Sequence, residues 1–369
     1  MHFYATQDQL AKALSMVSRA IMPQNNLPIL SGVQLEARDN VLTLTATDLF
    51  TTLQAEIAVE VSQPGYVVLP ATLLTELVQR IPTATLELET EDSSGKTLVK
   101  YGKNRATLHG FGSERLPEFQ SMEGPGDTIT IGSGIFARLA RELLFACAKD
   151  ETRPILKGVS IKLDSGRLVF ATTDGTRLSH TWVAIPEYRG EVRECVVPAK
   201  IIAEAARLSS AEDAQLTLGR NLIRVQTGSA VVVSRLLDGQ YPDYQRVIPQ
   251  EFVVQGRIRV SDFRGALERA NLIAARDRTS SVRIHHQVGQ LDISASAAEF
   301  GQTHESVEFD SHGQELDLLF NPTFLLDALK SLEGEEAVLE FSGIQSPLRL
   351  RDTENAQYSH IVLPLRQLV

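Results

Sequence analysis

The segment Leu27-Pro28-Ile29-Leu30-Ser31-Gly32-Val33 returns 126 residues later as Arg153-Pro154-Ile155-Leu156-Lys157-Gly158-Val159, and this repetition constrains the fold more than any other feature. The likeness continues at the same offset, where Leu42-Thr43-Leu44-Thr45-Ala46-Thr47-Asp48 matches Leu168-Val169-Phe170-Ala171-Thr172-Thr173-Asp174. A weaker third copy, a further 123 residues on, sets Val282-Arg283-Ile284 against Val159-Ser160-Ile161 and Leu291-Asp292-Ile293 against the second strand. A unit of about 125 residues far exceeds a solenoid repeat of roughly 20–50, so each copy must hold its own core. The 369 residues are therefore predicted to form three similar domains, 1–124, 127–250 and 253–369. The breaks fall where proline, glycine and acidic residues gather, near Ser121–Asp127 and Pro249–Phe252.

Within each unit the pattern runs helix, strands, helix, strands. Apolar residues at spacings of three and four mark one amphipathic helix per unit: Leu10, Leu14, Val17 and Ile21; Ile135, Leu139, Leu143 and Ala146; Phe263, Leu267 and Ala270. A second helix is expected to open at Pro70, Pro198 and Pro322, because proline costs little in a first turn whose amides have no helical partner. The remaining stretches alternate with period two, as in Val41–Thr45, Thr85–Glu89 and Ile223–Gln226, and are divided by turn signals at Asp39-Asn40, Ser94-Gly95, Asp164-Ser165-Gly166 and Asp238-Gly239. Half-buried strands of this kind build antiparallel sheets, and paired helices must cover their apolar face. The predicted class is α+β.

With 43% hydrophobic and 22% charged residues the chain reads as an ordinary soluble protein, expected in the cytoplasm: no apolar run reaches the roughly 18 residues of a membrane span. Cys147 and Cys195 lack metal-ligand spacing and read as small core residues. The net charge of −10 argues against a polyanionic partner only if charge is spread evenly, and it is not. Over the six expected helices (7–20, 70–81, 133–149, 198–208, 261–276 and 322–332) twelve basic residues face seven acidic ones. That is +5 for the helices, which leaves −15 for everything else. The basic set is Lys12, Arg19, Arg80, Arg138, Arg141, Lys149, Lys200, Arg207, Arg264, Arg269, Arg276 and Lys330. On one common surface these would attract a polyanion; on charge alone, they read rather as the solvated faces of ordinary helices.

Motifs for chemistry are missing. There is no Walker-type loop, no Gly-Xaa-Ser-Xaa-Gly elbow and no His-Glu-Xaa-Xaa-His, and Gly110-Phe111-Gly112-Ser113 reads as a loop. His285-His286 would face opposite sides of a strand, which argues against a shared metal. Glu87, Glu89, Glu91 and Asp92 read as a solvated or edge-protecting strand face, and Asp48 and Asp174 as turn residues. An enzyme such as a hydrolase on a triplicated scaffold would need convergent carboxylates or a nucleophile beside a histidine; a protein-interaction scaffold would not need the basic bias of the helices.

Four segments carry a family resemblance: Leu27–Leu30, Ala171–Leu178, Asp238–Pro249 and Ile361-Val362-Leu363-Pro364-Leu365-Arg366. Together they resemble the β subunit of bacterial replicative DNA polymerase, the sliding-clamp family, and the resemblance runs from Met1 to Arg366. It implies a DNA clamp fold in which two three-domain subunits join head to tail as a homodimeric ring, with antiparallel sheets outside and paired helices inside. It implies no catalysis of its own, no cofactor and no metal. The implied partners are double-stranded DNA without sequence preference, the polymerase α subunit, the clamp loader, and other polymerases and repair proteins. These proteins dock short peptides between the second and third domains.

Carried over by position, that pocket comprises Arg153, Leu156, Thr173, Gly175, Arg177, Leu178, Pro242, Arg246, Val247, Asn321, Phe324, Val362, Leu363, Pro364, Leu365 and Arg366. The basic helix residues named above become the DNA-facing set. The subunit contact sets Arg105, Ala106 and Leu108 against Leu272 and Ile273. The sequence departs from the family at five places. Thr279 replaces an aromatic frequent at the pocket rim, Gln367–Val369 extends past the usual end, Asp150-Glu151 occupy a loop that helps contact DNA in relatives, Gln24 stands where a basic residue can occur, and Ala106 is smaller than the aromatic of some relatives.

Overall fold

The computed structural model describes all residues except 22–26, 83, 92–93, 118–125, 165, 210 and 367–369. Gln24, Asp92, most of the first expected break and the Gln367–Val369 extension lie outside the described residues. The chain divides into two compact units, Met1–Phe136 with Lys200–Leu236, and Ala137–Ala199 with Leu237–Val369.

The helices are α1 (Gln7–Val17), α2 (Ala71–Arg80), α3 (Ile135–Leu143), α4 (Ala199–Leu208), α5 (Val260–Ala274) and α6 (Pro322–Ser331). Two end sooner than their apolar spacing predicts. Ser18–Ala20 and Leu144–Ala146 tighten into 3-10 turns, so Arg19 sits on such a turn. Lys149 lies beyond both α3 and its turn, and Arg276 lies past the end of α5. The prolines also differ in role. Pro322 opens α6 with Asn321 as its cap, whereas Pro70 is the N-cap of α2 and the last residue of a strand, and Pro198 likewise ends a strand. Both of these strands stand at the end of a sheet, where a missing amide donor is harmless.

In the first unit, a five-stranded sheet runs Glu60–Gln63, His2–Thr6, Thr85–Thr90, Lys96–Tyr101, Asn104–His109. An eight-stranded sheet holds strands from both the first and the central repeat. Its joint is the antiparallel pair Thr51–Ala58 with Ala230–Arg235, in the register Ala55↔Ala230 and Thr51↔Ser234. In the second unit a twelve-stranded sheet is joined in the same way: Arg177–Ile185 pairs with Ser359–Val362, with Arg177 opposite Val362. This edge-to-edge pairing explains why the central repeat is shared between two compact units rather than forming a third.

The predicted helix faces are the buried ones, apart from Ile21 and Ile135, which are half-buried. Leu10, Leu14 and Val17 of α1 and Leu74 and Val78 of α2 are fully buried, as are Phe263, Leu267 and Ala270 of α5 and Leu325 and Ala328 of α6. Each buried leucine contributes about 1.5–3 kcal/mol of apolar burial. The third repeat's Ile284, Leu291, Ile293, Phe309 and Leu339 close the core beneath α5 and α6. Asp39 and Asn40 take positive φ (53° and 60°), the hairpin-turn geometry their sequence predicts. Thr85–Thr90 is paired on both sides, so its glutamates occupy a solvated face of an interior strand and protect no edge.

Candidate functional site

A cavity of about 170 Å³, or about 580 Å³ with its open mouth, lies in the second unit. Its floor and walls are apolar, with Leu156, Leu178, Pro242, Val247, Ile361 and Leu363, while Arg153, Thr173, Asp243 and Tyr244 bring polar groups to its lining. The tight turn between two strands shapes one side. Asp174 Oδ1 accepts from the Thr176 amide at 2.9 Å and the Arg177 amide at 3.1 Å, which makes it the turn residue its sequence predicts. Gly175 follows with φ 95°, and a Cβ there would meet the Arg153 guanidinium at 2.9 Å, so both the turn and the close approach require glycine. Arg153 in turn donates to the Asp174 carbonyl at 2.7 Å.

The opposite side is a loop fastened to the sheet. The Thr173 amide donates to Tyr241 Oη at 3.0 Å, and Tyr244 packs against His180 with ring centres 6.0 Å apart. Burial pushes the His180 imidazole below and the Tyr244 phenol above their ordinary ranges, keeping both neutral. The chain's end is fixed by the Leu363 amide donating to the Thr176 carbonyl at 3.0 Å and the Leu365 amide to the Leu319 carbonyl at 2.7 Å.

Of the residues the family resemblance assigns here, Arg153, Leu156, Thr173, Gly175, Arg177, Leu178, Pro242, Val247 and Leu363 line the cavity. The others stand elsewhere. Arg246 points to solvent beside Asp243 at 2.7 Å, Val362 is buried in the C-terminal core, and the Asn321 side chain caps α6 by accepting from the Thr323 amide at 2.9 Å. Phe324 lies under the Arg177 guanidinium, 4.4 Å from its ring centre, and Pro364, Leu365 and Arg366 continue past the lining. Thr279 hydrogen-bonds Asp277 and is not part of the lining. Ile361, Tyr244, Thr176 and Asp243 are cavity residues that sequence reasoning missed. Alternation along the last strand offered a signal only for Ile361.

Arg177 is a strut rather than an open ligand group. It is 7% exposed and donates to Asp174 at 3.0 Å, to Asp327 of α6 at 2.9 Å and to the Phe145 carbonyl at 2.6 Å.

The basic helix residues are, with few exceptions, already paired. Lys12, Arg80 and Arg264 pair with Asp8, Glu76 and Glu268 one turn away, and Lys330 with Asp327. Arg19 and Arg207 share Glu204, Lys200 binds Asp48 at 2.9 Å, and Arg269 binds Glu305 at 2.6 Å. Arg138 lies 3.9 Å from Glu142, whose carboxyl is pushed above its usual range by burial despite that arginine. Arg141 pairs with Glu333. Lys149 is exposed, and the Arg276 guanidinium lies 5.7 Å from the Phe300 ring centre.

At the expected subunit contact, Arg105 and Ala106 sit on Asn104–His109, the last strand of its sheet, while Leu108 turns inward and is 5% exposed. Leu272 is 71% exposed, and Ile273 packs partly on the C-terminal core. Two further open features went unread in the sequence. Leu73 of α2 and Phe300 are large exposed apolar side chains, and residues 301–309 of Gly301–Gly313 pair on one side only among the described residues.

His286 is buried against Ser311 and the Gln314 carbonyl while His285 faces Glu315, and among the described residues no group of His, Cys, Asp or Glu gathers to hold a metal. Burial pushes both cysteine thiols up to about 12, far from a reactive thiolate. No helix among the described residues is long and apolar enough to cross a membrane.

Comparison with known proteins agrees over the full length. Residues 1–120, 130–243 and 245–366 match, in order, the N-terminal, central and C-terminal domains of the DNA polymerase III beta subunit. The beta sliding clamp of Bacillus subtilis (strain 168) is 30% identical over 380 residues, covering 99% of this chain and 100% of that protein. The crystal structure of the DNA polymerase sliding clamp from Bacillus subtilis aligns with a TM-score of 0.94 at 28% identity, over 100% of this chain and 99% of that one. A DnaN sliding clamp from Pseudomonas aeruginosa, bound to griselimycin, aligns with a TM-score of 0.94 at 29% identity over 100% of both chains. The chain belongs to the DNA polymerase III beta subunit family, the three-domain sliding clamps, which are processivity factors and not catalytic subunits.

Proposed function

We propose that two copies of this sliding clamp close head to tail into a ring around duplex DNA, with 1–124, 127–250 and 253–369 as the domains of each copy. One observation carries the reading: successive repeats are joined twice by the same kind of contact. The first joint is the strand pair Thr51–Ala58 with Ala230–Arg235, beside Arg19 bonded to Glu204 of α4. The second is the strand pair Arg177–Ile185 with Ser359–Val362, beside Arg141 of α3 bonded to the Ser331 carbonyl at the end of α6. Each joint thus binds the first-helix region of one repeat to the second helix of the next. A third such joint requires a second copy. The open edge at 301–309 and the exposed Leu272 of α5 would meet the partner's counterparts of strand Asn104–His109 and of Leu73 on α2. The contact is heterologous, and six repeats close it without leaving a free end.

The basic helices would then face the DNA, attracting phosphate without reading bases, so the ring holds the duplex by topology and slides. The apolar cavity beside the C-terminal segment receives short peptides of the polymerase α subunit, the clamp loader, and other polymerases and repair proteins in the cytoplasm. Each buried apolar anchor contributes on the order of 1.5–3 kcal/mol, less the cost of ordering the peptide, which gives weak and exchangeable binding. A polymerase so tethered rebinds its primer end before it diffuses away. The test is primer extension on a long circular template by a cognate replicative polymerase and its loader. Product runs lengthen when the protein is added; unchanged run lengths would refute the reading.

A further inference from the structure

Two of the carboxylates that hold the helix cations are themselves out of reach of solvent. Glu204 is 3% and Asp48 5% exposed. Glu204 Oε2 accepts from Arg19 Nε at 2.6 Å and Oε1 accepts from Arg207 Nη1 at 2.5 Å, so one buried anion restrains two guanidiniums from different repeats. Asp48 is fixed from behind: its Oδ1 accepts from the Phe50 and Thr51 amides at 3.0 and 2.6 Å, leaving Oδ2 to hold Lys200 at 2.9 Å. The exposed helical pairs differ in kind. Lys12 with Asp8 and Arg80 with Glu76 lie in water, open at little cost, and leave their cations free to turn to a phosphate. A buried carboxylate deprived of its cation is strongly disfavoured, so Glu204 and Asp48 compete with any phosphate for Arg19, Arg207 and Lys200.

We propose that Glu204, assisted by Asp48, is a positioning residue that limits the grip of the helix surface on DNA, keeping attraction high enough to retain the duplex and low enough to let the ring slide. The proposal rests on the DNA-encircling reading and adds to it a specific restraint. Its test uses full-length protein with two readouts, the salt dependence of binding to a short duplex and the diffusion of loaded protein along DNA. Glu204→Gln keeps the side-chain shape and removes the charge. The expected slope of log affinity against log salt steepens by about 0.9 if one guanidinium is freed and about 1.8 if both are, and diffusion slows. Glu204→Asp, which keeps the charge, restores the wild-type slope. Asp48→Asn steepens it by about 0.9 through Lys200, and it decides the matter if Glu204→Gln fails to fold. A lowered thermal midpoint with unchanged slope and diffusion would make Glu204 a mere staple and overturn the proposal. Wild-type protein that is not retained on circular DNA would instead overturn the DNA-encircling reading, and the proposal with it.

Discussion

Replacing Arg177 with methionine should destabilise the second unit by about 3 kcal/mol, and the structure supplies the reasoning. The guanidinium is 7% exposed, lies 4.4 Å from the Phe324 ring centre, and is the shared donor of Asp174, Asp327 and the Phe145 carbonyl. Methionine keeps most of the stem and takes the guanidinium from both carboxylates, leaving Asp327 with Lys330 at 3.8 Å and Asp174 with the Thr176 and Arg177 amides. Removing one partner of a buried ion pair costs about 3–5 kcal/mol. The two aspartates are 18% and 25% exposed, so water recovers part of this and the lower end applies. Asp327→Asn should cost less, about 1 kcal/mol, since Arg177 keeps Asp174 and the Phe145 carbonyl. Lysine should not rescue, because a single ammonium cannot reproduce the planar fork that meets three acceptors. The assay is built into the strand: Trp182, the chain's one tryptophan, lies on Arg177–Ile185, so its fluorescence follows unfolding of this sheet in urea. With a slope of about 1–3 kcal/mol per molar, the midpoint should fall by about 1–3 M. A change below about 0.5 kcal/mol, within the range of surface substitutions, would show that the guanidinium is not a strut and that its place in the cavity lining is its main role.

Charge placed at both Leu272 and Ile273, as Leu272→Asp with Ile273→Asp, should give a folded monomer where the native protein sediments as a dimer; a native monomer at micromolar concentration would contradict the contact. Deleting Leu363 to Val369 should abolish peptide binding in calorimetry and leave dimerisation intact, because the expected dimer contact rests on other residues, Leu272 and the strand Asn104–His109; undiminished affinity would remove the cavity assignment. Acid should destabilise the fold through His360, whose imidazole is pushed down to about 3 by burial and then by the Arg177 guanidinium. The unfolded chain, with an ordinary value near 6.5, takes up the proton first. Stability is therefore full above about pH 6.5 and falls by roughly 1.4 kcal/mol per pH unit as pH drops toward 3. His360→Asn should remove that one-proton slope from a pH series of urea midpoints; an unchanged slope would refute the buried neutral imidazole.

The fold was legible where local period and burial coincide. Leu10, Leu14 and Val17, or Leu291 and Ile293, announce their buried faces by spacing alone. Helix ends were less visible, since the turn at Ser18–Ala20 keeps helix-like spacing while changing its hydrogen bonds, and Pro198 closes an edge strand where a first helical turn was expected. The cavity was reached through likeness to a family, which supplies positions but not orientations. Hence Asn321 appears in the expected lining although its side chain caps a helix, and Tyr244 does not appear although it packs over His180. Least legible were the contacts between repeats: Arg19 and Glu204 are 185 residues apart, and no periodicity connects them. The count of helix charges took in Arg19, Lys149 and Arg276, which lie off the α-helices, and could not show that most of the set already have carboxylate partners.

Loading the protein onto a nicked circular duplex, filtering it through a sizing column, and then cutting the circle with a single-site nuclease tests the central claim most directly. A ring held by topology remains with the circle at a salt concentration that abolishes its binding to linear duplex, and is lost within minutes once the ends are free. Protein that leaves the intact circle at that salt, or stays on the linearised DNA, would contradict the account.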